Sequence, residues 1–303
     1  MRLRHVLEIA DFTPAELSAV LDCADAPRSP LLEGKGVALI FEKPSARTRN
    51  SAEMAVVHLG GYPAFISRSE VDFDVRESVE DVTRTLQGYY SVIAARVFDH
   101  QVLERMASVA VVPIINLLSN VGHPVQALAD LQTIRRHARP ISGATIAWIG
   151  DYSNVAHSLA VGALMLGARM RFCCPAGYGP SGQELDFLLT FAATPDAVTV
   201  HDRPLGCVKG ADVVSTDAWY SMGQEAEKEV RARAFEGYRV DADLMSAAAP
   251  TAKFLHCLPA HREQEVTSAV LDSEASLIWP QAHNRLHTFR GLLRWLHEQG
   301  SIR

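Results

Sequence analysis

The sequence lacks the features that mark secreted, membrane and nucleic-acid-binding proteins. Its 303 residues include five cysteines but no Cys-x-x-Cys pair, so we expect neither a disulfide framework nor a structural zinc site. The formal net charge of −6 argues against general nucleic-acid binding, which needs a basic surface. No long apolar run follows the basic residues 1–5, so we expect no signal peptide and no membrane span, and we place the protein in the cytoplasm.

What the sequence does contain is an alternation of short apolar runs and helix-like segments, which is typical of parallel sheets with crossover helices. We predict an α/β fold with two domains, each with a parallel sheet flanked by helices, and long helices linking them. The first domain is 1–138 and the second 139–282, and a C-terminal helix at 283–303 packs back on the first. The domain boundary follows a helix that begins near His123 and ends before Pro140. The predicted strands are Val37–Phe41, Tyr62–Ile66, Val92–Ala95, Val111–Ile115, Ala144–Gly150, Met170–Cys173, Val198–Val200, Asp212–Ser215, Phe254–Cys257 and Leu277–Trp279.

The most informative segment is Pro44-Ser45-Ala46-Arg47-Thr48-Arg49, between a predicted strand and the start of a helix. The free N–H groups and the positive dipole end of a helix start attract anions. Arginine adds a planar fork that matches phosphate oxygens. The segment therefore predicts an anion site, although a capped helix with solvated arginines explains these residues equally well when they are taken alone.

Polar residues also follow the other predicted strands, where ligands bind in open α/β sheets. This repeated placement predicts a functional site at the strand ends. A nucleotide-binding dehydrogenase is the generic alternative for such a fold, but we expect no Gly-x-Gly-x-x-Gly loop after any predicted strand and do not favour it. The residues at the strand ends are Arg96, Asn116, His123 to Gln126, Asp151 to Asn154, Asp217, Ser221 to Gly223, and His256 to Pro259.

Five motifs, in this order along the chain, resemble those of the ornithine carbamoyltransferases. They are Ser-x-Arg-Thr-Arg at 45–49, His-Pro-x-Gln at 123–126, Asp-x-x-x-Ser-Met-Gly at 217–223, His-Cys-Leu-Pro at 256–259 and Asn-Arg-Leu-His at 284–287. The resemblance implies transfer of the carbamoyl group of carbamoyl phosphate to the δ-amino group of L-ornithine, giving L-citrulline and phosphate, as in arginine biosynthesis. It also implies no cofactor, no metal, and a homotrimer with active sites at subunit contacts.

The same resemblance assigns residues to carbamoyl phosphate, the donor substrate. Thr48, Arg96 and His123 would donate to the carbonyl oxygen as it gains negative charge, a kind of contact whose loss typically costs about 2.7–4 kcal/mol. Gln126 would hold the carbamoyl amide. The residues expected to bind the phosphate are Ser45, Ala46, Arg47, Thr48, Arg49 and Arg96.

For ornithine, the acceptor substrate, the resemblance places Asp217 and Cys257 beside the attacking nitrogen. An amine with a pKa near 10.4 must lose a proton first, which costs about 4.6 kcal/mol at pH 7. Cys257 would help to position or deprotonate that amine, and it joins His123, Arg96 and Arg47 as a predicted catalytic residue. The remaining assignments are Asn154, Ser221 and Met222 at the ornithine α-amino and carboxylate groups, and Leu258 and Arg285 near the carbamoyl nitrogen.

Departures from the family pattern lie mainly on the donor side, and they predict a divergent member. Ala46 stands where many members have threonine, and Asn50-Ser51-Ala52 replaces aromatic residues. Asp72 falls where the family has a glutamine, and a carboxylate ~4 Å from a phosphate charge is repelled by about 4 kcal/mol at an effective dielectric near 20. Two alternatives stay open: a carbamoyltransferase for a different amine or an ornithine analogue in a specialised pathway, and a catalytically inactive ligand-binding paralogue.

Overall fold

The computed structural model describes residues 3–220 and 227–302. The chain divides into two compact units, unit 1 comprising Met1–Ala129 with His283–Arg303, and unit 2 comprising Asp130–Ala282. Each unit contains one parallel sheet flanked by helices. The predicted α/β fold with two parallel sheets is therefore confirmed.

The sheet of unit 1 has four parallel strands in the order β2-β1-β3-β4. A 3₁₀ turn at Ile9–Asp11 precedes the first α-helix. The strands are β1 (Gly36–Phe41), β2 (Tyr62–Ser67), β3 (Val92–Arg96) and β4 (Ile114–Leu118), and the helices are α1 (Pro14–Asp25), α2 (Ala46–His58), α3 (Arg68–Val71), α4 (Val79–Leu86) and α5 (His100–Val109). The next helix, α6 (Pro124–Thr133), continues as a π-helical segment at Ile134–Ala138, so the predicted long helix from His123 to before Pro140 is present.

The sheet of unit 2 has five parallel strands in the order β7-β6-β5-β8-β9. Its strands are β5 (Thr145–Ile149), β6 (Arg169–Cys173), β7 (Val198–Val200), β8 (Val213–Thr216) and β9 (Lys253–His256). The helices are α7 (Asn154–Met165), α8 (Gly182–Leu189), α9 (Pro204–Val208), α10 (Lys228–Ala234), α11 (Ala242–Ser246) and α12 (Ser268–Leu271), with a 3₁₀ turn at Pro195–Ala197. The last helix is the long α13 (Ile278–Glu298), which begins in unit 2 and belongs to unit 1 from His283 onward. Within residues 3–220 and 227–302, every helix is too short or too polar to span a bilayer.

The central strands are buried on both faces, which is why they are almost entirely apolar. All five residues of β3 and all five of β5 are buried. Helices cover both faces of such parallel sheets, so the strands need no polar face toward water. The cores of the two units consequently lie on the faces of their sheets, and the strand ends are left for polar residues.

The predicted tenth strand, Leu277–Trp279, is wrong. Ser276 makes only an isolated bridge with Phe254, and the chain then enters α13 at Ile278, five residues before the predicted start of the last helix at His283. Pro280 is tolerated there because the first turn of a helix has N–H groups without intrahelical acceptors. A three-residue apolar run cannot by itself distinguish a strand from a helix start.

Gly291 lies in α13 where that helix packs against α1. A Cβ added at Gly291 would lie 2.5 Å from the Ala24 nitrogen and 2.9 Å from the Val20 carbonyl oxygen. Both neighbours are backbone atoms, which cannot move aside as a flexible side chain can. The absence of a side chain at Gly291 therefore permits this close crossing.

Candidate active site

The predicted anion loop is the first turn of α2. Ser45 is the N-cap, its Oγ accepting from the Thr48 N–H at 3.3 Å and donating to Thr48 Oγ1 at 3.1 Å. Arg285, from α13, donates to the same Thr48 oxygen at 3.1 Å and to Gln126 Oε1. Thr48, Gln126 and Arg285 are all buried, so three of the five motifs are joined by a continuous set of hydrogen bonds within unit 1.

His123 lies at the start of α6 among positively charged groups. Its pKa is held well below the ordinary value, first by burial and then by the guanidinium groups of Arg285, Arg96 and Arg47. Arg96 ends β3, where the pairing with β4 slips by one residue between Ala95 and Arg96, and its side chain is buried. Unit 1 thus brings three arginines around a neutral imidazole, which is a donor-rich environment suited to an anion with a polarised carbonyl group.

Unit 2 has a different cluster, centred on the carboxylate of Asp217 just after β8. Cys257 Sγ donates to Asp217 Oδ1 at 3.1 Å, and the Ala218 N–H donates to the same oxygen at 2.8 Å. Ser153, the N-cap of α7, donates to Asp217 Oδ2 at 3.4 Å. Asn154 is the first residue of that helix, so the ends of β5, β8 and β9 together place these groups. A fixed carboxylate beside a thiol is suited to a ligand with an ammonium group.

The loop that carries Cys257 is held by a buried histidine and glutamate. The Leu258 N–H donates to His256 Nδ1 at 2.9 Å, which assigns the ring proton to Nε2, and Nε2 donates to Glu265 Oε1 at 3.2 Å. Leu258 has a positive φ of 61°, a strained conformation for a residue with a branched side chain. Asp217, His256 and Cys257 have possible metal-ligand atoms within 4.8 Å of one another, but both ring nitrogens of His256 are already engaged.

Both units match domains of known proteins. Residues 4–136 match the family model described as "Aspartate/ornithine carbamoyltransferase, carbamoyl-P binding domain", and residues 142–296 match "Aspartate/ornithine carbamoyltransferase, Asp/Orn binding domain". The chain belongs to the aspartate/ornithine carbamoyltransferase family. Thr48, Arg47, Arg96 and His123 lie in the segment matched by the first model, and the Asp217 cluster lies in that matched by the second, as does Arg285.

Individual relatives are similar to this chain over nearly its full length. The chain is 43% identical to an ornithine carbamoyltransferase of Parafrankia sp. (strain EAN1pec), over 99% of this chain and 98% of the relative. Among solved structures, the ornithine carbamoyltransferase of Pyrococcus furiosus matches with a TM-score of 0.91 and 41% identity over 96% of each chain. The anabolic enzyme of Campylobacter jejuni matches with a TM-score of 0.93 and 33% identity over 98% of this chain and 100% of that one. The resemblance predicted from the five motifs is confirmed.

Two residues assigned by analogy with the carbamoyltransferase family have other contacts or surroundings here. Arg49 Nε forms an ion pair with Glu53 Oε1 at 2.8 Å, and its guanidinium carbon lies 3.7 Å from the centre of the Phe65 ring. Ala46 begins α2 and is exposed, so it can offer only its backbone. Ser221 and Met222, assigned to the acceptor, lie outside the described residues.

Asp72, the departure expected to repel carbamoyl phosphate, is the C-cap of α3 with a φ of 35°. Its carboxylate lies 4.0 Å from Arg68 Nε; the Arg68 side chain is exposed and that of Asp72 is partly exposed. An ion pair of this kind contributes at most about 1 kcal/mol. Arg68 therefore offsets the charge of Asp72 only weakly.

Sequence reasoning missed three features of this family member. Ser153 was named only as a strand-end residue and Glu265 was not assigned, although Ser153 donates to Asp217 and Glu265 accepts from His256 in the loop that carries Cys257. The expectation that no Gly-x-Gly-x-x-Gly follows a strand was wrong, since 177–182 match it after β6. That helix start is closed by a capping box in which Ser181 Oγ accepts from the Glu184 N–H and the Glu184 carboxylate accepts from the Ser181 N–H. A carboxylate at that position disfavours a phosphate ligand.

Proposed function

We propose that this chain transfers the carbamoyl group from carbamoyl phosphate to the δ-amino group of L-ornithine, giving L-citrulline and phosphate. The observation that carries the proposal is the division of charge between the units. The carbamoyl-phosphate-type unit gathers Arg47, Arg96 and Arg285 around His123, and the acceptor-type unit presents Asp217 with Cys257. These charges are opposite to those of the two substrates.

On the donor side, the residues fit the demands of a carbonyl group that gains negative charge. Ser45, Thr48 and the N–H groups of the first turn of α2 would hold the phosphate with Arg47 and Arg96. His123 is neutral at pH 7, because its pKa is lowered, and it can therefore donate one hydrogen bond without carrying a charge. Preorganised donors of this kind stabilise a tetrahedral intermediate from which phosphate leaves as the C–O bond breaks.

On the acceptor side, the amine must reach the carbonyl carbon in its neutral form. Asp217 would hold and orient the ornithine nitrogen, and the Cys257 thiol, bound to the same carboxylate, would lie beside it. Asn154 at the start of α7 would bind the α-amino acid group together with Ser221 and Met222. Attack forms the C–N bond, the C–O bond to phosphate breaks, the nitrogen passes its extra proton to the departing phosphate, and citrulline results.

The decisive test is purified protein with millimolar carbamoyl phosphate and L-ornithine, scored for citrulline. Citrulline formation at rates typical of enzymes, about 1–10³ per second, supports the proposal. No citrulline at these concentrations contradicts it. Calorimetry with carbamoyl phosphate then separates a ligand-binding inactive paralogue, which binds, from a protein without a donor site.

The alternative acceptor class is tested with the same assay and a panel of amines. Putrescine, lysine and a modified ornithine replace L-ornithine at equal concentration. A higher kcat/KM for L-ornithine than for the other amines excludes a carbamoyltransferase dedicated to a different acceptor. A higher kcat/KM for another amine favours it. We further propose a cytoplasmic homotrimer, for which light scattering should give about 99 kDa, three times the chain mass of 33.1 kDa.

A further inference from the structure

A buried histidine in unit 1, outside the five motifs, contacts the turn that leads into His123. His100 is the first residue of α5 and is only 6% exposed. Its Nδ1 lies 2.8 Å from Ser119 Oγ, and its main-chain N–H donates to Asn120 Oδ1 at 2.8 Å. Ser119 is fully buried and follows β4, so the imidazole joins the start of α5 to the turn at 119–122. The mechanism above gives this imidazole no part.

The turn at 119–122 is organised around Ser119. The Ser119 N–H donates to the Gly122 carbonyl oxygen at 2.9 Å, and the Gly122 N–H donates to Ser119 Oγ at 3.3 Å. Asn116, in β4, donates from Nδ2 to Ser119 Oγ and to the Gly122 carbonyl oxygen, each at 3.2 Å. Gly122 directly precedes His123, so these bonds determine where the main chain places the His123 side chain.

The same contacts determine which nitrogen of His100 carries the ring proton. A hydroxyl group has one proton and two lone pairs, and Ser119 Oγ already receives the Gly122 N–H and an Asn116 amide proton. Its own proton therefore points to His100 Nδ1, since the Gly122 carbonyl oxygen is more distant at 3.5 Å. The ring proton of His100 consequently lies on Nε2, which faces Glu8 Oε1 at 3.8 Å. His100 thus accepts the Ser119 proton and leaves both lone pairs of the hydroxyl for the turn.

We propose that His100 is a positioning residue for the donor substrate: by accepting the Ser119 proton it holds the turn at 119–122, and through that turn it places His123 against the carbonyl group of carbamoyl phosphate. The inference rests on the proposed function, in which His123 donates to that carbonyl oxygen. A displacement of about 1 Å in such a site can cost about 10²-fold in rate. The effect should fall on carbamoyl phosphate and not on ornithine, because contacts within unit 2 hold the Asp217 cluster.

The test compares His100→Leu, which removes the acceptor, with His100→Asn, whose Oδ1 can take the place of Nδ1. Both variants keep the main-chain bond to Asn120. His100→Leu should lower kcat/KM for carbamoyl phosphate about tenfold and leave the KM for ornithine within about twofold. His100→Asn and the control His137→Leu, at an exposed position, should stay close to the wild type. Equal losses in His100→Leu and His100→Asn, wild-type activity in His100→Leu, or equal rises in both KM values overturn the proposal.

A double variant tests whether His100 acts through Ser119. Ser119→Ala should lower kcat/KM for carbamoyl phosphate at least as much as His100→Leu, because it also leaves the Gly122 N–H without its side-chain acceptor. His100→Leu combined with Ser119→Ala should be no worse than Ser119→Ala alone, since residues that act through one contact are not additive. Additive losses would mean that the two side chains act separately, which overturns the proposal. Ser108→Ala, at an exposed position of α5, is the matched control and should retain wild-type activity.

A readout independent of turnover keeps the inference distinct from the proposed function. Amide hydrogen exchange over 119–126 should be faster in His100→Leu than in the wild type, close to the wild-type rate in His100→Asn, and unchanged in β1 and β3 of both variants. If the wild type makes no citrulline, the proposed function fails, and this exchange experiment still decides whether His100 holds the turn. Unchanged exchange over 119–126 in His100→Leu, or equally faster exchange throughout unit 1, overturns the positioning role.

Discussion

The two clusters compensate charge in opposite ways. In unit 1, Arg47, Arg96 and Arg285 surround His123, and burial with these charges keeps the imidazole neutral. In unit 2, the three hydrogen bonds described for Asp217 come from neutral groups, a thiol, a hydroxyl and a backbone N–H. The donor cluster is thus built to receive negative charge, and the acceptor cluster leaves a carboxylate ready for an ammonium group. Each cluster therefore carries the charge opposite to that of the substrate group it is proposed to bind.

The largest effect should come from removing the acceptor carboxylate. We expect Asp217→Asn to lower kcat/KM for ornithine by about 10³-fold or more, since the amide keeps the shape but loses the charge that holds the ammonium group. Steady-state citrulline formation measures this. The control is Asp243→Asn, on an exposed side of α11, which should retain wild-type activity. A loss below about tenfold in Asp217→Asn would mean that another group binds the amine.

Arg47→Gln removes one positive charge from the donor cluster. We expect it to lower kcat/KM for carbamoyl phosphate about 10²-fold. Arg49→Gln is the matched control, because its guanidinium is already engaged by Glu53 and Phe65. It should lose less than about fivefold. Equal losses in the two variants would show that Arg49 also binds the phosphate.

A smaller effect is expected at the thiol. Cys257→Ser keeps a donor to Asp217 but replaces sulfur with a shorter and less acidic hydroxyl, so kcat should fall about tenfold while the KM for carbamoyl phosphate stays constant. Cys23→Ser, in α1, serves as the control. An unchanged kcat would mean that the Cys257 thiol contributes only to packing. A loss as large as that of Asp217→Asn would mean that catalysis requires the thiol itself.

The smallest effect concerns stability and pH. The folded protein holds the pKa of His123 well below about 6.5, its value in the unfolded chain. As the pH falls below 6.5, the unfolded chain therefore takes up a proton at His123 and the folded chain does not. This group therefore contributes stability above pH 6.5 that is lost on acidification, by up to about 1.4 kcal/mol per pH unit.

Urea unfolding between pH 7.5 and 5.5 tests this linkage. His123→Gln should show a shallower loss of stability than the wild type, while His137→Gln, on an exposed position, should follow the wild-type curve. Parallel curves for the wild type and His123→Gln would mean that the imidazole is protonated in the folded protein.

The sequence alone predicted the fold class, because short apolar runs alternate with helix-like segments, whereas the donor residues were assigned from the resemblance of five motifs to the family. Ser45 and Thr48 are three residues apart at a helix start, so their capping bond follows from spacing. Glu265 and Arg231 could not be predicted in this way. Arg231 binds Asp151, which lies 80 residues away, and only the folding of unit 2 brings the two together. The false strand at Leu277–Trp279 has a related cause, since three apolar residues carry no periodicity.

The bare backbone at Gly291 also constrains how this gene can change. Every other amino acid brings a Cβ, and that atom would overlap the main chain of α1. Any missense mutation in this codon would therefore push two helices apart. Selection for activity should purge such mutations as strictly as those in the five motifs, so invariance at this position would report helix packing and not chemistry.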